Sequence, residues 1–299
     1  MNIPKLFLSA FERQLITSSA SREIIDGRAV LRGIEAPVPK VVDTITFERW
    51  NIGVTSGNTI VRRQSYVDLH FVGCRFSDVK FFNCQFRNCL FEMCSCQKMG
   101  FWQSTLKGCT FRQSDLRETA LGGDDMFSKN FRANRYEDVV FERCDMRASA
   151  HSREIYTGCL FDNCRLDDVL FMGAVLKDCR FVGKLKEVEF RDYDVSRDQE
   201  PKNRLEGCDF READLIGCQF IRIGLDPAMF PQDEDRIVLP NGPEDLRRWK
   251  ALLGSDNLFL DHVIRLSGAP AIEFRSEFLR AGFTSEQVDL LEEIAAGRH

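Results

Sequence analysis

The sequence predicts an all-β solenoid over residues 65–230, and two observations lead to this prediction. First, a large apolar residue returns every five positions from Phe71 to Phe181. These 23 centres include 12 Phe and 5 Leu residues. Second, the residue two positions before each centre is usually small, and most often it is cysteine. Self-similarity at a fixed period is typical of a solenoid.

A period of five fits neither ordinary element. Five residues on a helix advance by about 500°, and an odd step along a straight strand reverses the face. All the centres can be buried only if the chain turns a corner after each unit. In an extended segment the residue two before a centre points to the same side, so it must be small. This position holds Cys74, Val79, Cys84, Cys89, Cys94, Cys109, Val139, Cys144, Cys159, Cys164, Val169, Ala174 and Cys179.

Several units have a small residue, a polar one, a central Phe or Leu and two more residues, as in CRFSD, CQFRN, CTFRQ, CDFRE and ADLIG. This pattern resembles the pentapeptide-repeat family and covers roughly half of the chain. The resemblance implies a right-handed quadrilateral pentapeptide-repeat β-helix, in which four units make one coil. Coils stacked about 4.8 Å apart would then form a rod roughly 40 Å long.

Residues 1–64 lack the repeat. Leu8, Phe11 and Leu15 have helical spacing, which predicts an amphipathic helix over residues 5–17. That helix either docks on the coil or serves as an arm that binds a partner, and docking is favoured. Residues 41–64 contain apolar residues without a clean register, so we expect an irregular segment that caps the open end of the coil.

Two stretches interrupt the repeat. Residues 122–135 keep the five-residue register but place Asp124, Lys129 and Asn134 where small residues belong, which predicts a small bulge. After Phe181 the next centre is Phe190, so the register slips by one residue. Residues 192–204 are predicted to leave the coil as a charged loop, because a buried charge would be costly. Such a loop either carries recognition or is a tolerated insertion.

Residues 231–299 have helix signals, and we expect a small α-helical C-terminal cap that either covers the last coil or also joins a homodimer. Pro243 and Gly254 bound the first predicted helix, and Gly268 ends the second. A third is expected between Pro270 and Gly282. The fourth begins with a capping box at Thr284–Gln287.

All twelve cysteines fit the repeat, eleven at the small position and Cys96 at a centre, so they are predicted to be reduced core residues. No CxxC pair occurs and the four histidines are scattered, so neither metal nor cofactor is expected. His151 at a centre is interpreted as an imperfect core residue. The absence of a long apolar run and of a secretory leader predicts a cytoplasmic protein without membrane contact.

No sequence signature of catalysis occurs, and a filled solenoid offers no obvious cleft, so we expect a non-enzymatic protein. Two functions remain open. The resemblance implies a mimic of duplex DNA that binds DNA gyrase or topoisomerase IV and confers resistance to topoisomerase poisons. The alternative is a protein–protein interaction scaffold or effector with an unrelated partner. Direct binding of nucleic acid is not expected.

Charge bears on this choice. Residues 71–112 hold 2 acids against 6 bases, whereas residues 113–230 hold 24 against 18. Because duplex DNA carries one negative charge per about 1.7 Å, only a local acidic face could imitate it. The candidate partner-binding residues are Asp162, Asp167, Asp168, Asp192, Asp194, Asp198 and Glu200.

One apolar strip should also be covered. Phe82 and Trp102 both follow a centre and are 20 residues apart, so they are expected to stack on neighbouring coils, close to Val140 and Leu160. Such a strip is rarely left in water. A terminal segment, with the N-terminal helix as first candidate, or a second subunit is predicted to cover it.

Overall fold

The structure is a computed structural model that describes residues 15, 23–36, 40–47, 50–56, 59–121, 132–192, 205–221, 223, 225–231, 236–239, 242–254, 258–266, 272–275, 279 and 282–298. Short parallel strands stack into the walls of a coil, which confirms the predicted solenoid. Within these ranges, no helix is long and apolar enough to span a bilayer. The strands are β1 (Ile24–Ile25), β2 (Arg28–Arg32), β3 (Lys40–Phe47), β4 (Trp50–Ser56), β5 (Ile60–Arg62), β6 (Ser65–Val67), β7 (Leu69–Val72), β8 (Lys80–Phe82), β9 (Gln85–Arg87), β10 (Leu90–Glu92), β11 (Gly100–Trp102), β12 (Thr105–Lys107), β13 (Thr110–Arg112), β14 (Arg135–Glu137), β15 (Val140–Glu142), β16 (Ala150–Ser152), β17 (Ile155–Thr157), β18 (Leu160–Asp162), β19 (Leu170–Met172), β20 (Val175–Lys177), β21 (Arg180–Lys186), β22 (Glu189–Arg191), β23 (Leu205–Glu206), β24 (Asp209–Ile216), β25 (Gln219–Ile221), β26 (Arg236–Leu239) and β27 (Ile272–Arg275).

The coil has four faces, numbered in the order in which the chain visits them. Face 1 is a nine-stranded sheet of order β1-β2-β7-β10-β13-β15-β18-β21-β24. Face 2 contains a ladder of single bridges that joins Glu35, Arg75, Ser95, Asp115, Asp145 and Arg165. Face 3 comprises β5, β8 and β11 and, beyond the bridging residue Ala120, β16, β19, β22 and β25. Face 4 is a seven-stranded sheet of order β23-β20-β17-β14-β12-β9-β6.

The corners explain the period of five. The residue two positions after most described centres lies in the left-handed region, as at Asp78, Asn83 and Asn88, where φ is 62°, 53° and 52°. One left-handed residue per unit turns the chain sharply, whereas extended residues form the strand between turns. Every centre is therefore returned to the interior axis.

The interior consists of stacked rings and small side chains. On face 1, the ring centroid of Phe91 lies 4.8 Å from that of Phe71 and 4.5 Å from that of Phe111. The thiol of Cys94 donates a hydrogen bond to the carbonyl of Phe71 in the previous coil, at 3.4 Å. All twelve cysteines are free, as predicted, and eleven of them are buried.

Most coils take 20 residues, but several intervals between paired residues have another length. Phe171 pairs with Phe190, which confirms the predicted one-residue slip. Leu106 pairs with Tyr136, 30 residues later, so this coil has ten extra residues in the stretch where a small bulge was predicted. Residues 122–131 lie outside the described ranges. Leu176 pairs with Leu205 across an interval that contains residues 193–204, which lie outside the described ranges.

The coil begins earlier than the repeat pattern indicates. Leu31 pairs with Phe71, and Val61 and Tyr66 pair with Phe81 and Phe86. Between these strands, β3 and β4 form an antiparallel hairpin.

Leu15 is helical and buried in the same core cluster as the coil, as expected of a docked helix. The rest of the predicted helix lies outside the described residues.

The C-terminal region has its own apolar core around Trp249, whose indole N–H donates to the carbonyl of Gln287 at 2.8 Å. Residues Leu225, Met229 and Phe230, around a short 3-10 helix at Pro227–Met229, belong instead to the core of the coil. The described helices are α1 (Pro243–Leu253), α2 (Leu258–Leu266) and α3 (Ser285–Ala295).

Helix ends in this region follow the sequence signals. Gly254 adopts the left-handed conformation after α1, and Thr284 and Gln287 form the predicted capping box of α3. The predicted third helix is wrong at its start, because Ile272–Arg275 is strand β27, antiparallel to β26. Alternating apolar and charged residues suit a strand there once a partner strand is available.

Candidate functional site

The predicted acidic residues fall into three groups. Asp162 ends strand β18 on face 1, and Asp167 and Asp168 lie in the turn after face 2 of the same coil. Asp162 accepts a hydrogen bond from the amide of Asn163 at 2.7 Å. Neither Asp162 nor Asp167 forms an ion pair with a described residue. The candidate residues Asp194, Asp198 and Glu200 lie outside the described ranges.

Asp192 does not fit the prediction of an exposed recognition loop. It is only 4% exposed, and its backbone N–H donates to the carbonyl of Ile221 at 3.1 Å. The preceding residue, Arg191, is still paired with Ile221 in face 3. Asp192 therefore belongs to the coil rather than to a protruding loop, and it cannot contact a partner from this position.

The predicted covered strip is divided between two faces. Phe82 and Trp102 are paired neighbours on face 3, as expected, and both are half-buried. The indole nitrogen of Trp102 is shielded from solvent. Val140 and Leu160, however, are neighbours on face 1. Placing them beside Trp102 is wrong, because these two residues precede the face 1 centres Phe141 and Phe161.

Sequence reasoning missed two further covered residues on face 3. Leu170 and Met172 flank the centre Phe171 and point outward, yet they are only 4% and 7% exposed. The guanidinium of Arg191 on the next coil lies 3.3 Å from the sulfur of Met172 and covers part of it. The sequence signal for these covered positions is the run of three successive apolar residues, Leu170, Phe171 and Met172, in one unit.

Three described aspartates are neutralised inside their own unit by a recurring Asp-x-Arg arrangement. In the first such pair, Nε of Arg117 donates a hydrogen bond to Oδ1 of Asp115 at 2.9 Å, and Nη2 of Arg117 donates one to Oδ2 of Asp115 at 2.7 Å. The same geometry recurs in the pairs Asp145–Arg147 and Asp209–Arg211.

Hydrogen bonds from Arg211 are the main cause that lowers the pKa of Asp209 to about 2. Sequence counts of acids and bases do not reveal this pairing. Each such carboxylate is held as an anion against its own arginine, so less of the acidic surplus can face a partner.

Ion pairs also run between coils. Arg112 on face 1 contacts Glu142 of the next coil at 2.8 Å and Glu92 of the previous coil at 3.6 Å. Lys107 on face 4 contacts Glu137 at 3.0 Å. These ladders distribute positive and negative charge along the rod, which is unlike the uniform negative charge of duplex DNA.

Face 4 differs from the other sheets because none of its described outward side chains is buried. On face 1, by contrast, His70 and Leu90 point outward but are buried. An open depression of about 570 Å³ on face 4 is lined by Gln85, Phe86, Arg87, Thr105, Lys107 and Glu137.

Two cations on face 4 have no acidic partner among the described residues. Arg87 donates to the side-chain oxygen of Gln85, at 3.3 Å. Neither Arg87 nor Arg135 forms an ion pair with a described residue. Arg87 is paired with Lys107, and Arg135 with Thr105, on adjacent strands.

The decisive observation for the fold is the combination of a five-residue step, four faces and left-handed residues at the corners. The chain has the pentapeptide-repeat fold. No protein-family model and no curated protein sequence matches this pentapeptide-repeat chain.

Solved structures that it resembles are pentapeptide-repeat proteins. QnrB1, a plasmid-mediated fluoroquinolone resistance protein, is 12% identical, with a TM-score of 0.28 over 54% of this chain and 93% of QnrB1. HetL from the cyanobacterium Nostoc sp. strain PCC 7120, involved in heterocyst differentiation regulation, is 9% identical, with a TM-score of 0.34 over 74% and 95%. Rfr23 from the cyanobacterium Cyanothece 51142 is 9% identical, with a TM-score of 0.20 over 59% and 86%. These similarities concern the fold alone.

A polar cluster around His151 lies in the interior of the pentapeptide-repeat coil. His151 is fully buried at a centre, with its Nδ1 2.6 Å from the hydroxyl of Tyr156 and its Nε2 3.0 Å from the hydroxyl of Ser149. Its ring stacks on Phe171 with centroids 4.3 Å apart. Burial lowers the pKa of His151 to about 3. The imidazole is therefore a neutral core residue.

This burial predicts a pH dependence of stability. The pKa of His151 is lower in the folded chain than in the unfolded chain. As pH falls through 6.5, the unfolded chain therefore binds more protons than the folded chain does. The free energy of unfolding should fall by about 2 kcal/mol between pH 7 and pH 5 from this residue. In His151→Phe that part of the decrease should disappear, as measured by urea unfolding at both pH values. Equal decreases in both proteins would contradict the prediction.

Proposed function

We propose that this pentapeptide-repeat chain is a non-catalytic, cytosolic scaffold that binds a protein partner through the surface of its coil. The supporting observation is that face 4 is a seven-stranded parallel sheet with no outward side chain buried among those described. Side chains on such a sheet are held at fixed spacings by the strands. A rigid array of this kind favours recognition by shape and charge over chemistry.

We propose that the chain binds its partner without turnover. His151, which lies within hydrogen-bond distance of Tyr156 and Ser149, is fully buried and cannot reach a substrate. Among the described residues, no group of three or more His, Cys, Asp or Glu side chains is arranged to hold a metal ion.

A narrower form of the proposal has a type II topoisomerase as the partner. Asp162 and Asp167 support it, because their carboxylates lack ion pairs with described residues and lie on consecutive faces of one coil. The Asp-x-Arg pairs and the ion pairs between coils neutralise acidic side chains, so they disfavour mimicry of DNA over an extended surface. We accordingly favour the scaffold with an unrelated protein partner.

The test uses the purified full chain. Immobilised protein should retain a stoichiometric protein partner from an extract of its own cells, and cross-links should map to the uncovered faces at Lys107 or Lys177. In parallel, purified chain should leave gyrase supercoiling unchanged. Retention of no stoichiometric partner would overturn the scaffold. Inhibition of supercoiling that is lost on charge reversal at Asp162 and Asp167, but kept on reversal at Asp178, would instead select the topoisomerase form.

A further inference from the structure

The scaffold proposal leaves open which surface binds and what chemistry the partner has. The described residues of face 4 between β6 and β14 supply an answer through their charges. Arg87, Lys107 and Arg135 project from three adjacent strands, and only Glu137 balances them. The open depression of about 570 Å³ lies among these residues. The patch is therefore concave and carries excess positive charge.

Arg87 and Arg135 differ from several other arginines on the coil, because neither forms an ion pair with a described residue. Arg112, Arg117 and Arg147 each contact one or two carboxylates. Arg87 and Arg135 contact none among the described residues, although both are exposed. Arg87 and Arg135 lie on strands β9 and β14, which flank β12 with Lys107 between them. Arginines held in place by such a sheet are preorganised to bind carboxylates, since the arginine fork matches carboxylate geometry.

Apolar side chains extend the same face on both sides of the patch. Val67 on β6 is 48% exposed and is paired with Arg87. Ile155 and Val175 are half-buried neighbours that continue the row of Arg135 along the rod. A partner segment that lies across these strands would contact the cations at the patch and the branched apolar side chains on either side of it.

We propose that face 4 is the docking surface of the scaffold and that it takes an acidic segment of a protein partner with interspersed apolar residues. This inference rests on the scaffold function proposed above and specifies its surface. Nucleic acid fits less well, because three cations around Glu137 are few against one phosphate charge per about 1.7 Å. The whole chain, moreover, carries a net charge of −5.

The test measures fluorescence anisotropy with the full chain and a short fluorescein-labelled peptide in which Glu and Val alternate. A peptide with Lys in place of Glu and a labelled DNA duplex serve as comparison probes. The variants are Arg87→Glu, Arg135→Glu and their combination. Arg143→Glu is the matched control, because Arg143 is likewise exposed and without an ion pair to a described residue but follows β15 of face 1. Urea midpoints of all variants check that each remains folded.

The Glu peptide should bind the unmodified chain better than the Lys peptide or the duplex does, with affinity that falls as salt rises. The double variant should weaken this binding roughly tenfold, whereas Arg143→Glu should leave it unchanged. Equal weakening by Arg143→Glu, no weakening by the double variant, or tighter binding of the duplex would overturn the inference.

The two proposals can fail separately. If the cellular partner is retained equally by the unmodified chain and by the double variant, face 4 is the wrong surface and the scaffold function stands. If neither protein retains a partner, the scaffold function itself fails.

Discussion

Replacing Phe141 with Ala should lower the free energy of unfolding by about 3 to 5 kcal/mol. The Phe141 ring has no exposed surface, and its centroid lies 5.4 Å from that of Phe111 and 5.0 Å from that of Phe161. Truncation removes buried apolar surface and leaves a cavity between two stacked rings. The rungs above and below are hydrogen-bonded at fixed spacing, so they cannot collapse into the gap.

Glu142 is the matched control for this substitution. It follows Phe141 on the same strand but points outward, where it contacts Arg112 at 2.8 Å in a pair open to solvent. Glu142→Ala should therefore cost about 1 kcal/mol or less. Urea unfolding followed by circular dichroism compares the two variants. Similar losses would mean that the centres do not carry the stability of the coil.

Replacing Gly183 with Ala should lower the free energy of unfolding by about 2 to 3 kcal/mol. Gly183 has a φ of 88°, and a Cβ atom there would lie 2.7 Å from the side-chain oxygen of Asn163 and 3.2 Å from its Cα atom. The Cα atom belongs to the backbone of the adjacent coil and cannot move aside without disturbing the ladder.

Gly73→Ala separates this contact from the cost of the left-handed conformation. Gly73 is also at a corner, with a φ of 59°, but nothing lies within 4 Å of the position of its Cβ atom. Residues with side chains already occupy equivalent corners, as Asn83 does at 53°. Gly73→Ala should thus cost at most about 1 kcal/mol. A loss as large as that of Gly183→Ala would refute the role of Asn163.

The candidate surface depends on features of different origin. The acidic residues Asp162 and Asp167 were predicted to project from neighbouring corners. The structure places them on consecutive faces of one coil, which follows from the five-residue step, but Asp162 ends strand β18 instead of lying at a corner. The lack of an ion pair between Arg87 and any described residue could not be predicted in this way. It depends on which side chains the coils above and below present, namely Val67 and Lys107.

The same distinction holds for the fold. The sequence by itself determined which residues face inward, the slip before Phe190 and the capping box of α3, because each depends on residues within a few positions of one another. Only the tertiary structure decided which residues are neighbours across coils. Leu106 stacks under Tyr136 rather than under residue 126, and β26 pairs with β27 more than thirty residues away. A five-residue pattern remains in step when two whole units are added, so it cannot report the length of a coil. Coil length depends on which strands pack and hydrogen-bond with one another. The length of the coils in turn places Val140 and Leu160 on face 1 and Trp102 on face 3.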